Sequence, residues 1–230
     1  GIGRATAIRL AEAGRTVYAT ARNISAIADL ADYGCELLAL DVTDEESMVA
    51  AVDAVVDRHG AVGALVNNAG YSQSGAIEDL PMESIRRQFE TNVFGLIRMS
   101  QLVLPGMREQ RAGRIVNIGS MGGKLSFPGG GIYHATKYAV EAISDVLRFE
   151  VSNFGVKVVL VEPGLIKTNF ADAALSHMDT PSQTDGAYDD FNAAVAKNTA
   201  AVYENPLYAR LGGGPDDVAK VIEKAATSAT

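Results

Sequence analysis

Tryptophan is absent from this chain, cysteine occurs once and histidine three times among 230 residues. A single thiol, Cys35, cannot close an intrachain disulfide, which fits a reducing compartment and an expected cytoplasmic location. His59, His134 and His177 are scattered, so no metal-ligand cluster is visible and no metal is expected. No apolar run approaches the roughly eighteen residues that a membrane span needs. Positive charge is also scarce: 20 Lys and Arg against 28 Asp and Glu leave a net charge of −8, which argues against nucleic acid or an anionic membrane as partner. Arg86, Arg87, Arg108, Arg111 and Arg114 are a local exception and read as solvated helix faces. Internal repeats and low-complexity tracts are missing too. What remains, 47% hydrophobic and 21% charged, describes one domain over 1–230 with enough chain to bury a full core.

Strand-like and helix-like segments alternate. Thr16–Thr20, Leu37–Asp41, Gly63–Asn67, Arg114–Ile118 and Val156–Val161 are short apolar runs of the kind that form buried parallel strands. Thr43-Asp44-Glu45-Glu46 reads as a capping box with Thr43 as N-cap, opening a helix that Gly60 ends. The alternation predicts an α/β doubly wound parallel sheet, in which ligands bind beyond the carboxyl ends of the strands. Asp41, Asn67 to Gly70, Ser120 and Pro163-Gly164 all fall there.

Tyr133 and Lys137, four residues apart in a helical segment, share one face about 6 Å apart along the axis. A free phenol has a pKa near ~10, so general-base work at neutral pH needs that value lowered. An ammonium roughly 6 Å away, at an effective dielectric of about 20, favours the phenolate by on the order of 2 to 3 kcal/mol. This leaves the phenol roughly a unit above neutrality, so full competence requires a second positive charge such as an oxidised nicotinamide. Gly1-Ile2-Gly3, running straight into a helix that ends near Gly14, reads as the back half of a phosphate-cradling loop.

Together, Gly1-Ile2-Gly3, Asn67-Asn68-Ala69-Gly70, Asn92, Ser120, Tyr133-x-x-x-Lys137 and Pro163-Gly164 resemble the single-domain short-chain dehydrogenase/reductase family, with a Rossmann-type sheet. Val17 to Arg22, the Gly119–Gly123 loop and Phe127-Pro128 are similar to its 17β-hydroxysteroid and retinol dehydrogenase branch. The resemblance implies a Tyr133 that moves a proton to or from the substrate oxygen and a Ser120 that hydrogen-bonds it. It further implies that Lys137 lowers the tyrosine pKa and holds the nicotinamide ribose, while Asn92 holds a water linking the lysine to solvent. A buried asparagine can instead simply satisfy neighbouring backbone.

Cofactor choice turns on the end of the second family strand, where an acid would select NAD. Ala21 stands there and Arg22 follows, so NADP is expected over NAD. By resemblance, Asp41 and Val42 contact adenine, while Asn67, Ala69 and Gly70 approach the adenosine ribose. Pro163, Gly164, Ile166 and Thr168 hold the carboxamide. Thr43, as the cap, leaves Asp41 free for ligand. Residues 169–210 correspond to the family's substrate lid, and Phe170, Leu175, Met178, Tyr188, Phe191, Tyr203, Leu207 and Tyr208 imply an apolar substrate; His177 reads as solvated. The expected activity is an NADP(H)-dependent interconversion of an alcohol and its ketone or aldehyde. Two alternatives stay open: a 3-oxoacyl-thioester reductase docking an acidic carrier near Arg86 and Arg111, and a non-catalytic NADP-sensing protein. The family's first strand and C-terminal strand have no counterpart here, so the sheet is expected to lack a middle strand, with poor stability. A homodimer or homotetramer is implied, through helices at about 84–110 and 133–153.

Overall fold

A computed structural model describes residues 1–168, 183–204 and 213–228 of the chain. Phe170, Leu175, His177, Met178, Leu207 and Tyr208 lie outside the described residues, as does the side chain of Tyr203.

Helix α1 (Ile2–Glu12) leads into β1 (Tyr18–Ala21), a 3₁₀ segment (Ile24–Tyr33) and β2 (Glu36–Ala39). Then come α2 (Glu45–His59), β3 (Ala64–Asn67), a 3₁₀ turn (Ile77–Asp79), α3 (Met82–Phe89) and a π-turn (Glu90–Phe94) continuous with α4 (Gly95–Gln110). Strand β4 (Gly113–Ile118) is followed by a 3₁₀ turn (Met121–Gly123), α5 (Gly131–Glu150), β5 (Val156–Val161), α6 (Asp189–Glu204) and α7 (Pro215–Thr227). Among the described residues, no helix is long and apolar enough to cross a membrane.

All strand pairs are parallel, as expected for a Rossmann-type fold. The sheet is nevertheless divided: β1 pairs with β2, while β3, β4 and β5 form a separate three-stranded sheet. A cleft of about 1720 Å³ runs between the two parts, lined by Val17 and Ala19 on one side and by Leu65 and Val66 on the other. No described strand bridges β1 and β3, and none follows β5, which agrees with the expected lack of a middle and a final strand.

Each sheet part has its own apolar core. Ala7, Val17, Ala19, Leu30 and Cys35 pack α1 and the 3₁₀ segment onto β1 and β2. Met48, Val52, Met99, Val103, Met107, Ile115 and Val158 pack α2 and α4 onto β4 and β5. On the other face, Val218 and Ile222 of α7 meet Val116, Ile118 and Val161. Completely buried Met107, Ile115 and Ile222 mark the tightest packing; truncating such a side chain to alanine typically costs about 2–5 kcal/mol.

The N-cap of α2 is Asp44, not Thr43. In extended backbone, Asp44 accepts from the N–H groups of Glu46 (2.9 Å) and Ser47 (3.2 Å). Thr43 is engaged one step earlier: its N–H (2.9 Å) and hydroxyl (2.7 Å) both donate to Asp41 Oδ1. Asp41 is therefore tied into an Asx turn rather than left free, and the expectation built on a capping Thr43 is corrected. The helix expected over about 84–110 is present as α3, the π-turn and α4 in unbroken succession, with Gly95 N–H donating to Glu90 C=O across the wider turn.

Candidate functional site

The cleft brings together one set of expected contacts: Gly1, Ile2, Gly3, Arg22, Asp41, Val42, Asn67, Ala69 and Gly70 all line it. Gly1 caps α1 without a side chain, so the first-turn N–H groups stand open toward the cleft. At Gly3 the Asn68 side chain comes close: a Cβ there would lie 2.7 Å from Asn68 Nδ2, so that amide would have to shift. Ala21 ends β1, and Arg22 is exposed just beyond it. Arg4, by contrast, is spent on Asp29, with Nη1 2.8 Å from Oδ1. Asp41 titrates below the usual carboxylate range, chiefly because it accepts from Thr43 N–H, with the Arg22 charge adding to this. Asn67 lines the cleft, but its amide nitrogen donates to Asn117 Oδ1 (2.9 Å) and Ser100 Oγ (3.3 Å), stitching β3 to β4 and α4.

Ser120, Tyr133, Lys137 and Asn92 stand beyond the cleft wall, and Gly70 is the joint between the two groups. A Cβ at Gly70 would meet Asn92 Oδ1 at 3.2 Å and Lys137 Nζ at 3.9 Å. Lys137 is buried on α5, and its Nζ donates to Ile118 C=O at 2.7 Å, 5.8 Å from the Tyr133 ring centroid. That separation matches the helical spacing read from the sequence. Burial lowers the Lys137 pKa to about 8, and the nearby Glu141 carboxylate opposes the fall. At pH 7 roughly nine such lysines in ten keep their charge. Glu141 is itself held by Lys124, with Nζ to Oε2 at 2.5 Å.

Ser120 opens the 3₁₀ turn after β4, and its Oγ accepts from Gly122 N–H at 3.0 Å, which leaves the hydroxyl hydrogen for another oxygen. The Tyr133 ring packs against this turn, its Cε1 lying 3.2 Å from where a Gly122 Cβ would stand. Met121 N–H donates to Pro163 C=O at 2.9 Å, which docks the loop after β5 beside Ser120. A Cβ at Gly164 would lie 4.0 Å from Met121 Sδ. Ile166 is buried in the core cluster with Val116 and Ile118, and Thr168 is the last residue described before 169.

Asn92, in the π-turn, accepts from Tyr71 N–H (3.1 Å) and donates to Tyr71 C=O (2.9 Å) and Thr136 Oγ1 (3.1 Å). Its amide therefore satisfies backbone and ties the π-turn to the catalytic-helix candidate α5. Thr136 in turn donates to Tyr133 C=O at 2.7 Å. Sequence reading missed Thr136, and it missed the structural contacts of His134, whose Nε2 accepts from Phe127 N–H while Nδ1 lies 3.0 Å from Gly122 C=O. Asn117 was missed as well: completely buried, it donates to Ser144 Oγ at 2.9 Å. A buried asparagine inside an apolar strand was the available signal for that network.

The lowered Lys137 pKa has a measurable sign. Between about 8 and 10.5, the unfolded chain holds more protons at this position than the folded chain, so the stability contribution rises with pH; below about 8 the burial penalty stands in full. Lys137→Met lacks this titration. The difference in urea-unfolding free energy between wild type and variant should therefore change by up to about 3 kcal/mol across that window. A flat difference would mean that the buried lysine is not perturbed.

Residues 1–179 match the family described as short chain dehydrogenase. A 3-ketodihydrosphingosine reductase of Bacteroides thetaiotaomicron is 41% identical over 176 residues, which are 75% of this chain and 62% of that protein. A crystal structure of a short-chain dehydrogenase from Streptomyces avermitilis is 39% identical with a TM-score of 0.82, covering 100% of this chain and 81% of that one. ElxO with NADP bound is 26% identical with a TM-score of 0.79, covering 100% of this chain and 88% of that one. With the family match running from the first residue past Thr168, and the fold shared along the whole chain, this protein belongs to the short-chain dehydrogenase/reductase family and is an oxidoreductase of that type.

Proposed function

We propose that the chain interconverts an alcohol and its ketone or aldehyde with NADP(H), on an apolar substrate. The observation that carries the chemistry is the buried Lys137 ammonium, held by Ile118 C=O at 5.8 Å from the Tyr133 ring, with that ring against the Ser120 turn.

The residues present fit a dinucleotide. The open first turn of α1 suits a pyrophosphate, Gly3 and Gly70 leave room for close approach, and Asp41 and Val42 line the far end of the cleft. Asn67, Ala69 and Gly70 would flank the adenosine side, and Pro163, Gly164, Ile166 and Thr168 the nicotinamide side. Arg22 supports a 2′-phosphate, because it follows Ala21 where an acid would repel one. The structure of ElxO, in which NADP is bound, favours the same reading. When bound, the cofactor supplies the hydride for the carbonyl carbon.

In reduction, Ser120 donates its hydroxyl hydrogen to the carbonyl oxygen and stabilises the charge that develops there. Tyr133 delivers the proton that turns this oxygen into a hydroxyl. Lys137 holds the phenolate that remains. Asn92 keeps the π-turn and Thr136 in register behind them. The Bacteroides relative's name, 3-ketodihydrosphingosine reductase, supports an apolar ketone, and Phe191 of α6 is an exposed apolar side chain. Tyr138 (45% exposed), Val146 (56%) and Phe149 (80%) on α5 support a homo-oligomer.

The test is initial-rate oxidation of NADPH and NADH with a panel of long-chain ketones and aldehydes. NADPH is expected to give kcat/KM at least about tenfold higher than NADH, and Arg22→Ala to erase most of that ratio, since one charge-assisted phosphate contact is worth on the order of 1.5–3 kcal/mol. Equal use of both cofactors by wild type would overturn the NADP assignment, and binding without turnover would favour a sensor.

A further inference from the structure

Asp79 is a buried carboxylate outside the proton-transfer set, and it is engaged by residues 183–192. Its Oδ1 accepts from Gln183 N–H (2.9 Å) and Thr184 Oγ1 (2.8 Å), and its Oδ2 accepts from Asn192 Nδ2 (3.0 Å). Asn192, on α6, returns the contact: its Oδ1 accepts from Ala76 N–H at 3.0 Å. One residue earlier on the 3₁₀ turn, Glu78 Oε2 accepts from Tyr188 O–H at 2.5 Å. Three anchor points within four residues, Ala76, Glu78 and Asp79, thus hold residues 183–192.

The same turn reaches the start of the catalytic helix. Gly75 N–H donates to Gly129 C=O at 2.8 Å, and Ile77 Cδ1 lies 2.9 Å from where a Gly131 Cβ would stand, two residues before Tyr133. Gly129, at φ +78°, has Val195 of α6 pressed against it, with Cγ1 2.5 Å from the position of a Cβ. The clasp therefore seats α6 on the loop that leads into Tyr133.

Resting on the alcohol/carbonyl reading, we propose that Asp79 and Asn192 are paired positioning residues that set the substrate wall formed by α6, and so govern the fit of an apolar carbonyl substrate beside Tyr133. They touch neither substrate nor cofactor. The polarity of the pair is what matters: a carboxylate that only accepts faces an amide that donates on one side and accepts on the other. A buried donor facing a donor, or two carboxylates facing each other, leaves unpaired groups and loosens the wall.

An exchange of the two residues tests this. In Asp79→Asn, two amide nitrogens face each other unless one flips; a flip at 192 strips Ala76 N–H of its acceptor, and a flip at 79 strips Gln183 N–H of its own. In Asn192→Asp, two carboxylates meet. In Asp79→Asn/Asn192→Asp, the amide introduced at 79 donates to the carboxylate introduced at 192, and every other bond is kept. Each single variant is expected to raise KM for the best long-chain ketone at least about tenfold, with KM for NADPH changed less than twofold, and the double variant to recover within about threefold of wild type. Amide hydrogen exchange at Ala76 and Gln183, measured on the same proteins without substrate, should rise in the single variants and fall back in the double. Single variants with unchanged substrate KM, or a double variant as impaired as the worse single, would overturn the proposal. If wild type turns over no carbonyl but the exchange pattern follows the swap, the clasp stands as architecture, whereas the alcohol/carbonyl reading and the substrate role built on it both fall.

Discussion

Tyr133→Phe is expected to lower kcat/KM for carbonyl reduction by about three orders of magnitude while NADPH affinity stays within about twofold. The loss follows from removing the proton donor, since positioned acid–base groups contribute typically 10²–10⁴-fold. The affinity is retained because the Tyr133 ring packs on Gly122 and His134, contacts that phenylalanine keeps. Stopped-flow turnover combined with fluorescence titration of NADPH separates the two quantities. A variant with more than about a tenth of wild-type activity would take Tyr133 out of the mechanism.

The second large effect concerns stability. Between β1 and β3, two parallel edges face a cleft of about 1720 Å³ with no strand between them, so the two parts of the sheet share few backbone hydrogen bonds. The 230-residue polypeptide is expected to unfold in a broad, low transition rather than a steep one, because no strand pairing joins the two parts of its sheet, which are coupled instead through α1 packed on α7 and the pairing of Arg9 with Asp216 and Glu223. NADPH should sharpen it: a ligand gripped by α1 and Arg22 on one side and by Gly70 and Lys137 on the other ties the parts together. At a hundred times its dissociation constant it adds about 2.7 kcal/mol. Circular dichroism melts with and without NADPH decide the matter. A single steep cofactor-independent transition, with ordinary NADPH turnover, would refute the expectation.

Much of the fold was legible because parallel strands buried on both faces are continuous apolar runs. Val156–Val161 has the bounds read from the sequence, and β3 and β4 differ by one residue at their starts. The pairing of Tyr133 with Lys137 was legible for a different reason: four-residue spacing on a helix fixes a distance before any tertiary contact is known. Thr43 misled because threonine followed three residues later by Glu46 has the form of a capping box. Only the turn at Asp41, which takes both Thr43 donors, moves the cap to Asp44. The Asp79–Asn192 clasp could not be read at all, since it joins residues 113 apart in the chain and neither type is unusual where it stands. The long 3₁₀ segment Ile24–Tyr33 also went unread; its packing through Leu30 onto β1 is tertiary in origin.

The π-turn at Glu90–Phe94 has a geometric consequence for the helix that contains it. Gln88, Asn92, Leu96 and Ser100 are all buried, in steps of four residues. On an uninterrupted α-helix each such step overshoots a full turn by about 40°, so Ser100 would point about 120° away from Gln88. A π-turn inserts one residue's worth of chain without its rotation, which brings that offset back to about 20°. The wide turn thus acts as a phase correction. It lets one rod face the Tyr71 loop at its start and the sheet further along, where Asn67 donates to Ser100.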